Sequence, residues 1–305
     1  MWKKFKNNHI PYLYLSPALV SIFVLTFIPI VYTLYIAFTN HSLNYMENYD
    51  FVGLKNFKTI LTGSLKHIFL PVFGWTTIYA VIVTIGGFLI GLILALVLNN
   101  PHMKETRLYR AILIIPWALP STIAILAWQG LLNEQYGGIN GLLNIFYLPD
   151  IPWLTDPFWA RIGIIIVTLW LGYPFMMNVC LGALQAISPN LYEAAEIDGA
   201  SWWCKFSRIT LPSLLSTALP LLISSFAFNF NNIGAAFLIT KGNPPRIGTQ
   251  FAGYTDILTS AGYKMTTQFF RYDLASALSL LVFLVIGTIT YINMRATGTF
   301  KEVER

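Results

Sequence analysis

Residues 70–98 read LPVFGWTTIYAVIVTIGGFLIGLILALVL, without a single charged side chain. About 20 such residues are enough for a helix to cross a bilayer, so this stretch predicts a transmembrane helix. The composition of the whole chain agrees, because 56% of its 305 residues are hydrophobic and only 10% are charged. A typical soluble protein is roughly a quarter charged. These values exclude a disordered chain and disfavour a soluble enzyme.

Five further apolar segments of sufficient length bring the predicted number of spans to six, in an all-α integral membrane protein. The segments are 12–38, 111–132, 161–187, 213–240 and 273–294. The first is longer than the apolar part of a signal peptide, so it is interpreted as an uncleaved span. The predicted organisation is an N-terminal segment 1–11, a transmembrane domain 12–294 and a C-terminal segment 295–305.

Basic residues close to the early spans predict the orientation through the positive-inside rule. They precede the first span and follow the second, at Lys3, Lys4, Lys6, Lys104, Arg107 and Arg110. The loop at 133–160 has acidic residues and no Lys or Arg, which predicts the outer side. With six spans, both termini are expected in the cytoplasm.

The polar loop between the fourth and fifth spans has a helix–turn–helix pattern. Ser188 is a suitable N-cap, Pro189 suits the first helical position, and Gly199 is placed to end the helix. Ser201 can cap a second helix. Two interpretations remain: a hairpin resting on the lipid headgroups, or a surface that docks a cytoplasmic partner.

The loop resembles the EAA loop of permease subunits of ABC importers. The resemblance rests on Glu193-Ala194-Ala195, on Gly199, and on Ile209-x-Leu211-Pro212 at the spacing of that family. In that family the loop is a coupling helix that inserts into a separate ATPase subunit. The resemblance therefore implies an ATPase contact in the cytoplasmic loop 188–212, made by Glu193, Ala194, Ala195, Asp198 and Gly199.

The similarity extends over nearly the whole chain to the larger permease subunit of maltose/maltodextrin transporters. The residues that carry it include Leu171-Gly172-Tyr173-Pro174-Phe175, Leu181 to Ile187, Ser225 to Asn232 and Ala252 to Asp256. It implies the type I importer permease fold and the bacterial cytoplasmic membrane. Enteric members have a large extracytoplasmic domain after the first matching span, whereas here a short loop, 39–69, joins the first two spans.

The predicted span interiors are almost free of ionisable residues, which favours a neutral solute over ion-coupled transport. Three sets of polar or aromatic residues share helix faces. They are Ser225, Asn229 and Asn232; Trp117 and Ser121; and Thr168, Gly172 and Phe175. The resemblance implies that most of these positions lie at or near the sugar site, although Thr168 and Phe175 differ in type from enteric relatives.

Structural roles are the alternative for each of these residues. Asparagine in a membrane helix often joins two helices by hydrogen bonds, and Asn231 is equally consistent with that role. Trp117 can pack against lipid or a neighbouring helix, and Gly172 can serve helix contact alone.

The function predicted from the sequence is that of a permease subunit of an ATP-driven importer of maltose or maltodextrins. The alternatives are another oligosaccharide, glycerol-3-phosphate, or a secondary carrier. No P-loop motif and no catalytic or metal-binding spacing occurs in the chain, so no enzymatic activity, cofactor or metal is expected. ATP and Mg²⁺ are expected on two partner ATPase subunits. A second permease and an extracytoplasmic solute-binding protein are the other expected partners.

Overall fold

The computed structural model describes residues 10–100, 102–246 and 248–296. Their regular structure is helical, and strand pairing among them is limited to isolated bridges such as Thr39 with Phe51. The predicted terminal segments fall mostly outside these ranges, as do Lys3, Lys4 and Lys6.

The helices follow one another in the order α1 to α15. The first eight are Ile10–Ile22, Ile28–Ile36, Lys55–Leu61, Lys66–Leu98, Thr106–Leu113, Ile115–Ala118, Ser121–Leu131 and Gly138–Ile145. The remaining seven are Pro157–Gln185, Pro189–Ile197, Trp202–Lys205, Leu211–Asn231, Gly234–Thr240, Leu258–Thr267 and Tyr272–Ala296. Two π-helical turns, Phe23–Phe27 and Phe206–Thr210, continue α1 into α2 and α11 into α12.

Five helical segments of the described chain are long and apolar enough to cross a membrane. They are Tyr12–Ile36, Lys66–Leu98, Pro157–Gln185, Trp202–Thr240 and Tyr272–Ile292. They correspond to the first, second, fourth, fifth and sixth predicted spans, with longer bounds for the middle three. Helix α4 has 33 residues and is about 50 Å long, so it extends beyond a hydrocarbon core of about 30 Å.

The segment predicted as the third span, 111–132, is divided among α5, α6 and α7. Pro120 causes the second break, because proline disfavours helical geometry in the residue before it. Leu119 accordingly has an extended backbone, with ψ at 143°. Helix α7 then has 11 residues, about half of what a perpendicular span requires. The number of six spans stays a prediction.

The chain forms two compact units. Of the described residues, the first contains 10–66 and 262–283. Here Asn56 is buried and its Nδ2 donates to the carbonyl oxygens of Ala37 and Thr39, at 2.9 and 2.7 Å. Arg271 makes a bidentate ion pair with the buried Asp273, at 3.0 and 2.9 Å.

The second unit contains the other described residues, within 67–261 and 284–296, and has two apolar clusters. One brings Trp75 and Tyr79 of α4 against α9, α13 and the loops around Trp153. The other packs the end of α4 against α9 and α12, around Met177 and Leu214. Within this second cluster α4 and α9 come very close at Gly91, where an added Cβ would lie 2.6 Å from Met177 N.

Candidate functional site

A cavity of about 720 Å³ lies within the second unit. All eight residues predicted to face the solute line it: Trp117, Ser121, Thr168, Gly172, Phe175, Ser225, Asn229 and Asn232. The volume falls in the range of roughly 300–1,000 Å³ that is usual for small-molecule sites. The structure therefore brings the three predicted same-face sets together, and their role in binding stays a prediction.

Five parts of the chain build this cavity, one of which is α13. Helix α4 contributes Thr84 and Gly87, and α9 and α12 contribute the faces predicted from their spacing. The fourth wall comes from the broken segment around Pro116 and Pro120. Because the backbone is not continuously helical there, Trp117 at the end of one helix and Ser121 at the start of the next both reach the cavity.

Hydrogen bonds within the protein fix the two asparagines that line the cavity. Asn229 Nδ2 donates to Thr84 Oγ1 at 3.1 Å, and Asn232 Oδ1 accepts from the backbone N–H of Gly234 at 2.9 Å. The amide group has two donors and an acceptor, so each side chain retains hydrogen-bonding capacity for a solute. Asn229 retains its carbonyl oxygen and one N–H, and Asn232 retains its NH₂ group.

The Thr168 hydroxyl is already engaged within the protein. Its Oγ1 donates to the Ile164 carbonyl oxygen at 2.8 Å and lies 2.9 Å from the hydroxyl of the buried Tyr79. Only 7% of Thr168 is exposed. This residue borders the cavity, but its hydrogen bonds chiefly connect α4 to α9.

Aromatic rings line part of the cavity wall. The rings of Trp117 and Phe175 are 6.4 Å apart between centroids, and Phe228 is largely exposed toward the cavity. Such rings can pack on the apolar face of a pyranose. Of the other two phenylalanines in the 226–230 stretch, Phe230 is buried and contacts Phe226 instead.

Asn231 takes the structural role that the sequence left open. Its Oδ1 accepts from Thr259 Oγ1 at 2.7 Å, and it is absent from the described lining of the cavity.

Several lining residues were not anticipated from the sequence, namely Thr84, Gly87, Thr122 and Ser224. Thr84 and Gly87 are three residues apart on α4, so helical spacing placed them on one face. No local signal indicated that this face, rather than another, meets the cavity.

No side chain among the described lining residues carries a charge at neutral pH. Hydroxyls, amides and aromatic rings provide its polarity. This arrangement can bind hydroxyl groups without the desolvation cost of a buried charge.

The loop 188–212, which is predicted to be cytoplasmic, forms the expected helix–turn–helix. Helix α10 ends in a Schellman motif, in which the Gly199 N–H donates to Glu196 O and the Ala200 N–H to Ala195 O, at 3.0 and 2.8 Å. Gly199 has a φ of +74°, which glycine adopts without steric cost. Ser201 caps α11 through its side chain, whereas Ser188 is at the N-cap without a side-chain bond.

Two contacts fix the hairpin, and the predicted coupling residues remain accessible. Tyr192 and Thr210 are 2.9 Å apart between hydroxyl oxygens, and Lys205 forms an ion pair with Glu196 at 2.6 Å. The predicted contact residues Glu193, Ala194, Asp198 and Gly199 are exposed. Ala195 is half-buried.

Comparison with protein families places residues 87–297 in the family described as "Binding-protein-dependent transport system inner membrane component". Two similar proteins of Bacillus subtilis are 37% identical to this chain. The galactooligosaccharides transport system permease protein GanP is matched over 96% of this chain and 71% of its own length. For the maltodextrin transport system permease protein MdxF the shares are 96% and 70%.

The maltose/maltodextrin permease protein MalF of Vibrio cholerae is 42% identical over 81% of this chain, which spans 48% of that relative. Among solved structures, a bacterial ABC transporter involved in import of the acidic polysaccharide alginate aligns with a TM-score of 0.82. The alignment covers 98% of both chains at 24% identity, and it shows that the fold is that of an ABC importer permease.

Proposed function

Because the chain belongs to the family of binding-protein-dependent inner membrane transport components and is a permease subunit of an ABC importer, we propose that its solute is maltose or a maltodextrin. The observation that carries the proposal is the uncharged cavity lined by Asn229, Asn232, Trp117 and neighbouring hydroxyls. Relatives that transport maltodextrins and galactooligosaccharides support the class of neutral oligosaccharides. Alternating access of this cavity to the two sides is the proposed mechanism.

The alternatives differ in the charge that the cavity has to accommodate. Glycerol-3-phosphate is an anion, and a secondary carrier needs an ionisable group in the membrane. The described lining residues include neither a cation nor a titratable carboxylate. Another neutral oligosaccharide, including a galactooligosaccharide, remains the second candidate because the hydroxyl-binding groups would serve both.

We propose that the chain acts with a second homologous permease, two ATPase subunits and an extracytoplasmic solute-binding protein. One such permease lines half of a transport pathway, and the chain has no P-loop of its own. ATP and Mg²⁺ would bind to the ATPase subunits. The exposed residues Glu193, Ala194, Asp198 and Gly199 supply a surface on which an ATPase can act. Both termini and this loop would then lie in the cytoplasm.

Uptake by the Asn229→Ala variant tests the solute assignment. Loss of the amide removes hydrogen bonds to sugar hydroxyls, so uptake of maltodextrins should fall by about tenfold or more, as for one or two lost hydrogen bonds. Radiolabelled maltodextrins and galactooligosaccharides are compared in cells that express the complete transporter. Ser216→Ala is the matched control, because Ser216 is exposed and its hydroxyl bonds to Ser213 O within the same helix. Unchanged uptake of both sugars would remove Asn229 from the site.

ATP hydrolysis by the Glu193→Lys variant tests the coupling assignment. Reversing the exposed charge should abolish ATPase association or the stimulation of hydrolysis by sugar and binding protein. Glu105→Lys is the control, because it makes the same change at another exposed residue of the predicted cytoplasmic side. Full stimulation in a correctly folded Glu193→Lys variant would contradict the assignment.

A further inference from the structure

Helix α8 and the turn after it present an apolar surface that is largely exposed. It consists of Leu142, Ile145, Phe146, Tyr147 and Leu148, and it is called here the 142–148 surface. Three neighbouring residues are strongly exposed: Ile145 by 68%, Phe146 by 72% and Tyr147 by 97%. Leu142, Ile145 and Phe146 lie at i, i+3 and i+4, so they share one face of the helix end.

The opposite face of α8 is anchored, so the exposure does not result from a loosely attached helix. Asn140 is 2% exposed. Its Nδ2 donates to Ile151 O at 3.1 Å, and its Oδ1 accepts from Trp153 Nε1 at 3.0 Å. Ile139 packs against the apolar cluster around Trp75. These contacts fix which residues of α8 point away from the protein.

The helix ends in a second Schellman motif, with a tyrosine where glycine is usual. The N–H of Leu148 donates to Leu143 O and that of Tyr147 to Asn144 O, at 3.0 and 3.1 Å. Tyr147 has a φ of 57°, which glycine adopts at lower cost. A tyrosine that is 97% exposed thus occupies a position where the backbone alone favours glycine.

The 142–148 surface is tethered next to the end of a membrane span. Glu134 Oε1 accepts from the N–H groups of Leu154 and Thr155, at 3.0 and 2.9 Å, which joins the two ends of the loop. Helix α9, a candidate span, begins two residues later at Pro157. Residues 136–149 include no Asp, Glu, Lys or Arg.

We propose that the 142–148 surface is embedded in the lipid headgroup region, and that α8 lies along the bilayer as an interfacial anchor. Tyrosine is enriched at that depth because its ring is apolar and its hydroxyl can be hydrated. A surface for a protein partner usually has a polar or charged rim. The absence of charge in residues 136–149 and the junction with a span favour lipid. The proposal depends on the chain belonging to a family of inner membrane transport components. It does not depend on which solute is transported.

Depth-dependent fluorescence quenching tests the proposal on the full chain. The background is C180A/C204A, co-purified with its partner subunits and reconstituted in nanodiscs of neutral and anionic phospholipid. Three single-cysteine variants carry a small environment-sensitive fluorophore: Phe146→Cys, Asp150→Cys and Ile85→Cys. Asp150 is an exposed residue of the same loop, and Ile85 is an exposed apolar residue in the middle of α4.

The label at position 146 should have blue-shifted emission and lose more intensity to a nitroxide near the headgroup than to one deep in the acyl chain. The label at 85 should show the reverse order, and the label at 150 should be quenched by aqueous iodide. Iodide quenching at 146 equal to that at 150, without lipid nitroxide quenching, would overturn the proposal. So would a label at 146 that is shielded only after the solute-binding protein is added, since a protein would then be the occupant. Sugar uptake tests the proposed function, whereas the quenching measurements test only the position of α8. Failure of one proposal is therefore distinguishable from failure of the other.

Discussion

Thr84 orients the side chain of Asn229, which lines the cavity. Its Oγ1 accepts from Asn229 Nδ2, which leaves the Asn229 carbonyl oxygen and one N–H for a solute. Thr84 is buried on α4, so the acceptor is fixed by packing. In the proposed site, Thr84 thus preorganises Asn229 for the solute.

Replacing Thr84 by valine should weaken solute binding without loss of fold. The change keeps the shape of the side chain and removes the acceptor, so Asn229 can rotate. A hydrogen bond is worth about 0.5–1.5 kcal/mol net, which corresponds to a rise of up to about tenfold in the apparent KM for uptake. Thr77→Val is the control, because Thr77 is half-buried and bonds to Phe73 O within α4, away from Asn229. Equal KM values for both variants would show that Thr84 does not position Asn229.

At the scale of the elements, α4 and α9 come into close contact at Gly91. Gly87 and Gly91 form a G-x-x-x-G pattern, which is typical of close packing between membrane helices. The structure separates their roles. Gly91 meets the backbone of Met176 and Met177, whereas a Cβ added at Gly87 would have no neighbour within 4 Å.

Alanine at these two glycines should therefore have different effects on stability. Gly91→Ala would place a Cβ 2.7 Å from Met176 C, so the helices must separate, at a cost of about 1–3 kcal/mol. Thermal unfolding in detergent should show a lower Tm for Gly91→Ala and an unchanged Tm for Gly87→Ala. A Tm for Gly91→Ala equal to that of the unmodified protein would mean that the close approach is not maintained in solution.

At the scale of the whole molecule, the proposed orientation places the coupling loop in the cytoplasm. Cys204 lies in this loop and is half-buried, whereas Cys180 is fully buried in α9. A membrane-impermeant maleimide should label Cys204 in inverted vesicles and not in right-side-out vesicles. The C204A variant is the control and should remain unlabelled in both. Labelling from the outside would reverse the orientation.

Many features of this fold can be predicted from the local sequence alone. Long uncharged segments such as 70–98 predict membrane helices because an unpaired backbone group in lipid is costly, and the helix satisfies its own. Helical spacing placed Ser225 and Asn229 on one face of α12, whereas Asn232 follows the end of that helix with an extended backbone. Gly199 marked the end of α10. These properties depend on neighbours within a few residues.

Only the tertiary structure decided which faces meet. The convergence of α4, α7, α9 and α12 on one cavity, the bond from Thr84 to Asn229 and the assignment of Asn231 to Thr259 join residues far apart in the chain. The side chains of an apolar helix are equally compatible with lipid, a neighbour or a cavity. Packing between helices determines which of these a side chain contacts. The periodicity of a single helix carries no information about that packing.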